Sequence, residues 1–126
     1  MMAAIGPADT KPELRVRRYL HARGFRYRLH VSKLPGCPDL VLPKFRTVIF
    51  VHGCFWHRHP GCQYATEPAT RAEFWRRKFE GNAARDRRVM SQLQVMGWIP
   101  LVIWECETRE AGCLDALAEV IRNSII

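Results

Sequence analysis

Two rhythms of apolar and polar positions run along this chain. In "KPELRVRRYLHARG", residues 11–24, Val16, Tyr19 and Leu20 recur at i, i+3 and i+4, the spacing of one helix face. Pro12 suits a first helical turn, and Gly24 is placed to end the helix. "FRYRLH", residues 25–30, alternates instead and predicts a half-buried strand. After the "PGCP" turn, "DLVLP" (39–43) and "RTVIFVH" (46–52) are apolar and rich in β-branched residues. They predict two strands joined as a hairpin around Pro43 and Lys44. Residues 53–70 follow no period and predict an irregular loop. "TRAEFWRRKF" then opens like a helix, with Thr70 as N-cap and Glu73 as its capping-box partner. Phe74 and Phe79 are expected in the core, and Gly81 is expected to kink the chain before a second helix that Gly97 stops. "WIPLVIWEC" reads as a buried strand and "CLDALAEVIRNSI" as a closing helix. This order predicts an α/β domain, a central mixed sheet with helices packed on its faces.

Length changes little in that picture: 126 residues suit one domain, 1–126, with 1–10 as a loose N-terminal arm. No stretch is long and apolar enough to span a bilayer, and no signal-peptide pattern opens the chain, so a soluble intracellular protein is expected. Charge says more. Lys and Arg outnumber Asp and Glu by 20 to 12, a formal +8. Such an excess points to an anionic partner, nucleic acid first among them.

Chemistry concentrates in "VHGCFWHRHPGC", residues 51–62. Cys54, His59 and Cys62 lie close together in a loop with little apolar content to fold it, which suits a structural tetrahedral zinc. A fourth ligand must come from elsewhere, and Cys106 at the end of the "LVIWEC" strand is suitably placed. Cys37 and Cys113 fit no such cluster and read as packed thiols. Asp39 opens a strand just after a proline, where restriction-type nucleases carry the Asp that holds Mg2+. Their usual Glu-x-Lys is absent, with Phe50 and His52 at the corresponding places. A Pro-Asp pair by itself is more often a turn. His57, beside His59, reads either as a further zinc ligand or as a general base.

Pro-Asp, Phe-x-His-Gly-Cys-Phe-Trp-His, Ala-Thr-Arg-x-Glu-Phe-Trp and Trp-Glu-Cys, taken together over residues 2 to about 108, resemble the very-short-patch-repair (Vsr) mismatch endonucleases. The resemblance implies a restriction-endonuclease-like fold with one structural Zn2+. It implies Mg2+-dependent nicking, with two catalytic ions, of one DNA strand beside a T:G mismatch left by deamination of 5-methylcytosine. Carried onto this chain, Asp39 would bridge the Mg2+ ions, helped by the backbone carbonyl of Val51 where the family usually has Thr. His57 would be the general base, oriented by Asp86. Glu13 and His52 would hold metal-bound waters or the phosphate.

Phe55, Trp56 and Trp75 would wedge into the base stack, and Lys78 and Asn82 would reach base edges. The family's longer basic arm reaches the minor groove; here Met2 and Ile5 stand in the matching places. Gly61 is an extra residue between His59 and Cys62. A monomer in the bacterial cytoplasm, near the nucleoid and open to mismatch-repair proteins, is the implied setting. Two rival readings are a same-fold nuclease acting on unmismatched DNA and a zinc-stabilised DNA-binding module without activity. Asp39, His57 and Asp86 together argue against the second, since binding alone requires none of them.

Overall fold

A computed structural model describes residues 10–124, so Met2, Ile5 and most of the expected arm lie outside the described residues. The elements are α1 (Lys11–Ala22), β1 (Arg28–Leu29), β2 (Leu40–Leu42), β3 (Thr47–His52), α2 (Ala72–Val95), β4 (Ile99–Trp104) and α3 (Ala111–Asn123). Among the described residues the strands form one four-stranded sheet in the order β1-β2-β3-β4. The first three are antiparallel, and β3 pairs with β4 in parallel. The sheet is therefore mixed, as the sequence pattern predicts.

Alternation along the strands separates two apolar layers. Leu40, Leu42, Ile49 and Ile103 face Val16 and Leu20 of α1 and Leu114, Leu117, Ala118 and Ile121 of α3. Val41, Val48 and Phe50 face Val89 and Leu93 of α2. One helix pair and one long helix thus cover opposite faces of the sheet, and burying both explains why β2 and most of β3 are apolar without a polar side. Among the described residues no helix is long and apolar enough to cross a membrane.

Several local expectations change. The strand expected over 25–30 shrinks to Arg28–Leu29, because Phe25 turns into the core beside α1 and His30 takes a left-handed backbone (φ 49°). The two helices expected around Gly81 are one uninterrupted helix of 24 residues, because a single glycine costs only about 1 kcal/mol in a helix interior held by packing. Thr70 does not cap it. Arg71, in left-handed conformation with no side-chain cap bond, precedes the first turn, and the Glu73 carboxylate instead binds Arg76 and Arg77. A capping box does form on α1. The Thr10 hydroxyl accepts from the Glu13 amide and Glu13 Oε2 accepts from the Thr10 amide, each at 3.4 Å.

Phe74 is 44% exposed and Phe79 half-buried outside both apolar layers, so neither is core. Cys37 is exposed rather than packed, while Cys113 is half-buried with its thiol 3.7 Å from Glu110 Oε1.

The "PGCP" turn comes close to α2 at Gly36. Gly36 has φ +73°, and a Cβ there would stand 2.6 Å from Val89 Cγ1. Valine has little rotameric freedom with which to move aside. Gly36→Ala is therefore expected to destabilise the protein by about 2–4 kcal/mol, from backbone strain plus overpacking. Urea unfolding of the two proteins measures it, and equal midpoints would remove this contact from the account.

Candidate active site and metal centre

Three clusters of metal-binding or titratable side chains gather at the end of the sheet where β2 begins and β3 and β4 end.

The first is Cys54, His59, Cys62 and Cys106, whose ligand atoms all lie within 4.8 Å of one another. The loop after β3 folds on itself through main-chain bonds from the His57 amide to the Gly53 carbonyl and from the His59 amide to the Cys54 carbonyl. The extra residue Gly61 sits at φ +69°, a conformation that glycine adopts without strain. Cys106 arrives from the 3-10 turn Glu105–Arg109 that follows β4. Cys54 Sγ lies 3.7 Å from His59 Nδ1, Cys106 Sγ 3.5 Å from the same nitrogen, and Cys62 Sγ 3.9 Å from Cys106 Sγ.

A zinc tetrahedron with bonds of about 2.3 Å to sulfur and about 2.0 Å to nitrogen has edges of about 3.8 Å between sulfurs and about 3.5 Å from sulfur to nitrogen. The donor set and its spacing therefore fit that ion. The ring of Trp104 stacks on His59 (centroids 4.3 Å, 11° between planes) and fixes its orientation. Burial, then hydrogen bonding to Cys54 and Cys62, pushes the Cys106 thiol up to about 12, so without a cation it stays protonated.

The second cluster is His52, His57 and Asp86. Asp86, on α2, accepts from or pairs with His57 Nδ1 at 2.7 Å. The His52 ring stacks on that of His57 at 3.8 Å, nearly parallel, and meets the edge of Trp104 at 5.3 Å. Burial, then the neighbouring His57, lowers the His52 pKa to about 4, so it is neutral at physiological pH.

The third is Glu13, His30 and Asp39. The capping box occupies Glu13 Oε2, while Oε1 stands 3.4 Å from both Arg17 Nη2 and His30 Nε2. Glu13 is 1% exposed, which such partners make tolerable. Asp39 Oδ2 accepts the Val51 amide at 2.7 Å. Burial raises the Asp39 carboxyl from 3.8 to about 6, against the lowering effect of that hydrogen bond; the Glu13 carboxylate raises it further. Nothing in the sequence pattern singled out His30 or Arg17. Their signals were the β1–β2 register, which sets His30 opposite Asp39, and the four-residue step from Glu13 on α1.

Sequence reasoning grouped Glu13 with His52, but the two fall in neighbouring clusters joined through the Val51–His52 backbone.

Beside these clusters lies an aromatic group. Phe55 packs edge-on against Trp56, Trp75 and Phe79 at 5.3–5.5 Å, and Trp56 is 48% exposed. Asn82 donates to the Trp56 carbonyl at 3.1 Å, and Lys78 is exposed on the same helix.

Residues 1–63 match the family model described as DNA mismatch endonuclease Vsr. The chain is 47% identical to the DNA mismatch endonuclease Vsr of Escherichia coli, over 98% of this chain and 80% of that protein. It is 46% identical to the type II nicking enzyme V.XorIIP of Xanthomonas oryzae pv. oryzae, over 92% and 85%. It is also 39% identical to V.NmeAIP, a type II nicking enzyme of Neisseria meningitidis, over 98% and 88%. The chain belongs to the Vsr family. It is accordingly a DNA endonuclease.

In this Vsr-family protein the four-residue Cys/His cluster joins a loop after β3 to a turn after β4, so a bound ion would cross-link them. Elemental analysis is expected to find about one metal ion per chain, lost in Cys106→Ala, and chelation to cost several kcal/mol of stability. Metal-free protein with an unchanged melting temperature would remove the centre.

Proposed function

We propose that this chain is a Mg2+-dependent mismatch endonuclease that nicks one strand of duplex DNA beside a T:G mismatch, on a restriction-endonuclease-like fold braced by one zinc ion. The observation that carries the reading is the 2.7 Å pair of His57 with Asp86, placed one loop residue from the exposed ring of Trp56. A base oriented by a carboxylate and an aromatic wedge on one short loop are the two parts such a reaction requires.

Asp39 would supply the hard oxygen donor that suits Mg2+, with Glu13 beside it holding metal-bound water or the phosphate. A strand residue projects its amide and carbonyl to the same edge, and the Val51 amide reaches Asp39, so the Val51 carbonyl is a further donor on that side. When bound, Mg2+ would stabilise charge on the phosphate and lower the pKa of water. His57 takes the proton of the attacking water at the nitrogen not held by Asp86, and the carboxylate stabilises the resulting imidazolium. His52, neutral and stacked on His57, limits rotation of that ring.

Phe55, Trp56 and Trp75 insert beside the defective pair, where unstacking is least costly, and Lys78 faces the duplex from α2. Asn82, tied to the Trp56 carbonyl, holds the wedge in place in the free protein. The basic charge of +8 favours DNA approach. A monomer in the bacterial cytoplasm, close to the nucleoid, completes the reading.

Nicking of a T:G duplex beside its matched control tests the proposal as a whole, and equal rates on both would overturn it. His57→Ala is expected to bind the T:G duplex near normally and lose about 10²–10⁴-fold in single-turnover nicking. Trp56→Ala should instead lose about 1–3 kcal/mol of stacking and with it mismatch preference. If His57→Ala loses its bound metal and unfolds, the histidine belongs to the zinc loop.

The raised Asp39 pKa sets a pH dependence. In metal-free protein the proton on Asp39 favours the folded state, a contribution fully present below its ordinary 3.8 and lost as pH rises through about 6. Mg2+ is therefore expected to raise the melting temperature at about pH 7.5 and not at about pH 5, with Asp39→Asn indifferent at both. A Mg2+ effect in that variant equal to that in the parent would take Asp39 out of the site.

A further inference from the structure

Arg58 stands in the loop between His57 and His59, and neither the aromatic wedge nor the metal cluster counts it among its own residues. Its backbone has φ 53°, in the left-handed region where a side chain is strained and glycine is not. The side chain nevertheless makes several well-directed contacts. Nη1 donates to the Thr66 carbonyl at 3.0 Å, and Nη2 to the Ala65 carbonyl at 3.2 Å and to Glu67 at 2.6 Å. The same guanidinium lies 4.4 Å from the ring centre of Phe79 and 5.6 Å from that of Phe55. Phe79 in turn stacks on Trp75 at 5.7 Å, and Phe55 meets Trp56 and Trp75. One planar cation thus ties the connector at 65–67 to the ring group that carries the exposed Trp56.

We propose that Arg58 is a positioning residue for the wedge, bracing Phe55 and Phe79 so that Trp56 and Trp75 meet DNA already ordered. The inference rests on the reading of these aromatics as a wedge. Ring insertion works against base stacking, and rings that must first be immobilised give up part of their binding energy to ordering. Arg58 suits the task because its fork reaches two carbonyls and a carboxylate while its face covers a ring, a combination that lysine cannot reproduce. Asn82 fixes the wedge from the other side through the Trp56 carbonyl.

Arg58→Gly separates bracing from general scaffolding, because it removes the side chain and relieves the backbone together. The variant is expected to keep its metal and to nick a T:G duplex at a near-parental single-turnover rate when DNA is saturating. Half-saturation should need roughly tenfold more T:G duplex, with binding to matched duplex unchanged. Arg58→Lys should fall between the two. Trp56→Ala, measured alongside, reports on the wedge itself.

Weakened T:G binding by Trp56→Ala with parental binding by Arg58→Gly would overturn the role of Arg58 and leave the wedge standing. Parental binding by both would overturn the wedge and this proposal with it. Loss of metal and folding in both Arg58 variants would also overturn it, making the residue part of the metal loop's frame. If only the glycine variant unfolds, the same binding comparison on Arg58→Lys decides.

Discussion

Parallel pairing of β3 with β4 is the constraint on which the functional end of the molecule depends. In its register His52 lies beside Trp104, so the two strands finish together. From one end the chain enters the loop with Cys54, His59 and Cys62; from the other it enters the turn with Cys106. Trp104 then stands between the clusters, stacked on His59 and edge-on to His52. A one-residue slip would send Trp104 to the opposite face and carry Cys106 with it. Sheet register, the Cys/His loop and the stacked imidazoles are therefore determined together.

Burial acts on both titratable clusters and disfavours charge in each, with opposite consequences. It lowers His52 to about 4, leaving a neutral ring that can lie against His57 without repulsion. It raises Asp39 to about 6, so at neutral pH the carboxylate is ionised in surroundings that resist its charge. Glu13 is buried almost completely, but Arg17 and the α1 capping box accommodate it. Of these two carboxylates, Asp39 is the one whose burial is less compensated and which a cation would relieve more. The local chemistry of α1 contributes directly here, because the box that begins the helix also fixes which Glu13 oxygen faces His30.

What could be read in the sequence was whatever depended on local spacing. The hairpin about Pro43, the α1 face of Val16, Tyr19 and Leu20, and the close grouping of Cys54, His59 and Cys62 all follow from residues a few positions apart. Features set by distant partners were harder to read. Gly81 looked like a break because its cost is visible in sequence while the packing of Val89 and Leu93 that outweighs it is not. Phe74 looked like core because a phenylalanine on a helix is usually buried. The first turns of α2 instead carry the aromatic group, and only its second half covers the sheet. His30 stayed hidden because the alternation over 25–30 marks a strand but not its partner, and only the β1–β2 register brings the ring to Glu13.

The continuity of α2 has a mechanical consequence. Trp75, Phe79, Asn82, Asp86, Val89 and Leu93 follow at steps of four and three, which is one face of a helix. That face passes from the ring group, through the anchor of the Trp56 carbonyl and the partner of His57, to two residues buried against the sheet. Eleven residues from Trp75 to Asp86 span about 16 Å along an unbroken helix. A flexible joint at Gly81 would let the rings move independently of the acid. Added backbone freedom between them would loosen the placement of the rings relative to the His57–Asp86 pair. With the helix intact and its far half held by Val89 and Leu93, the position of the rings and the orientation of His57 are set by the same rigid element.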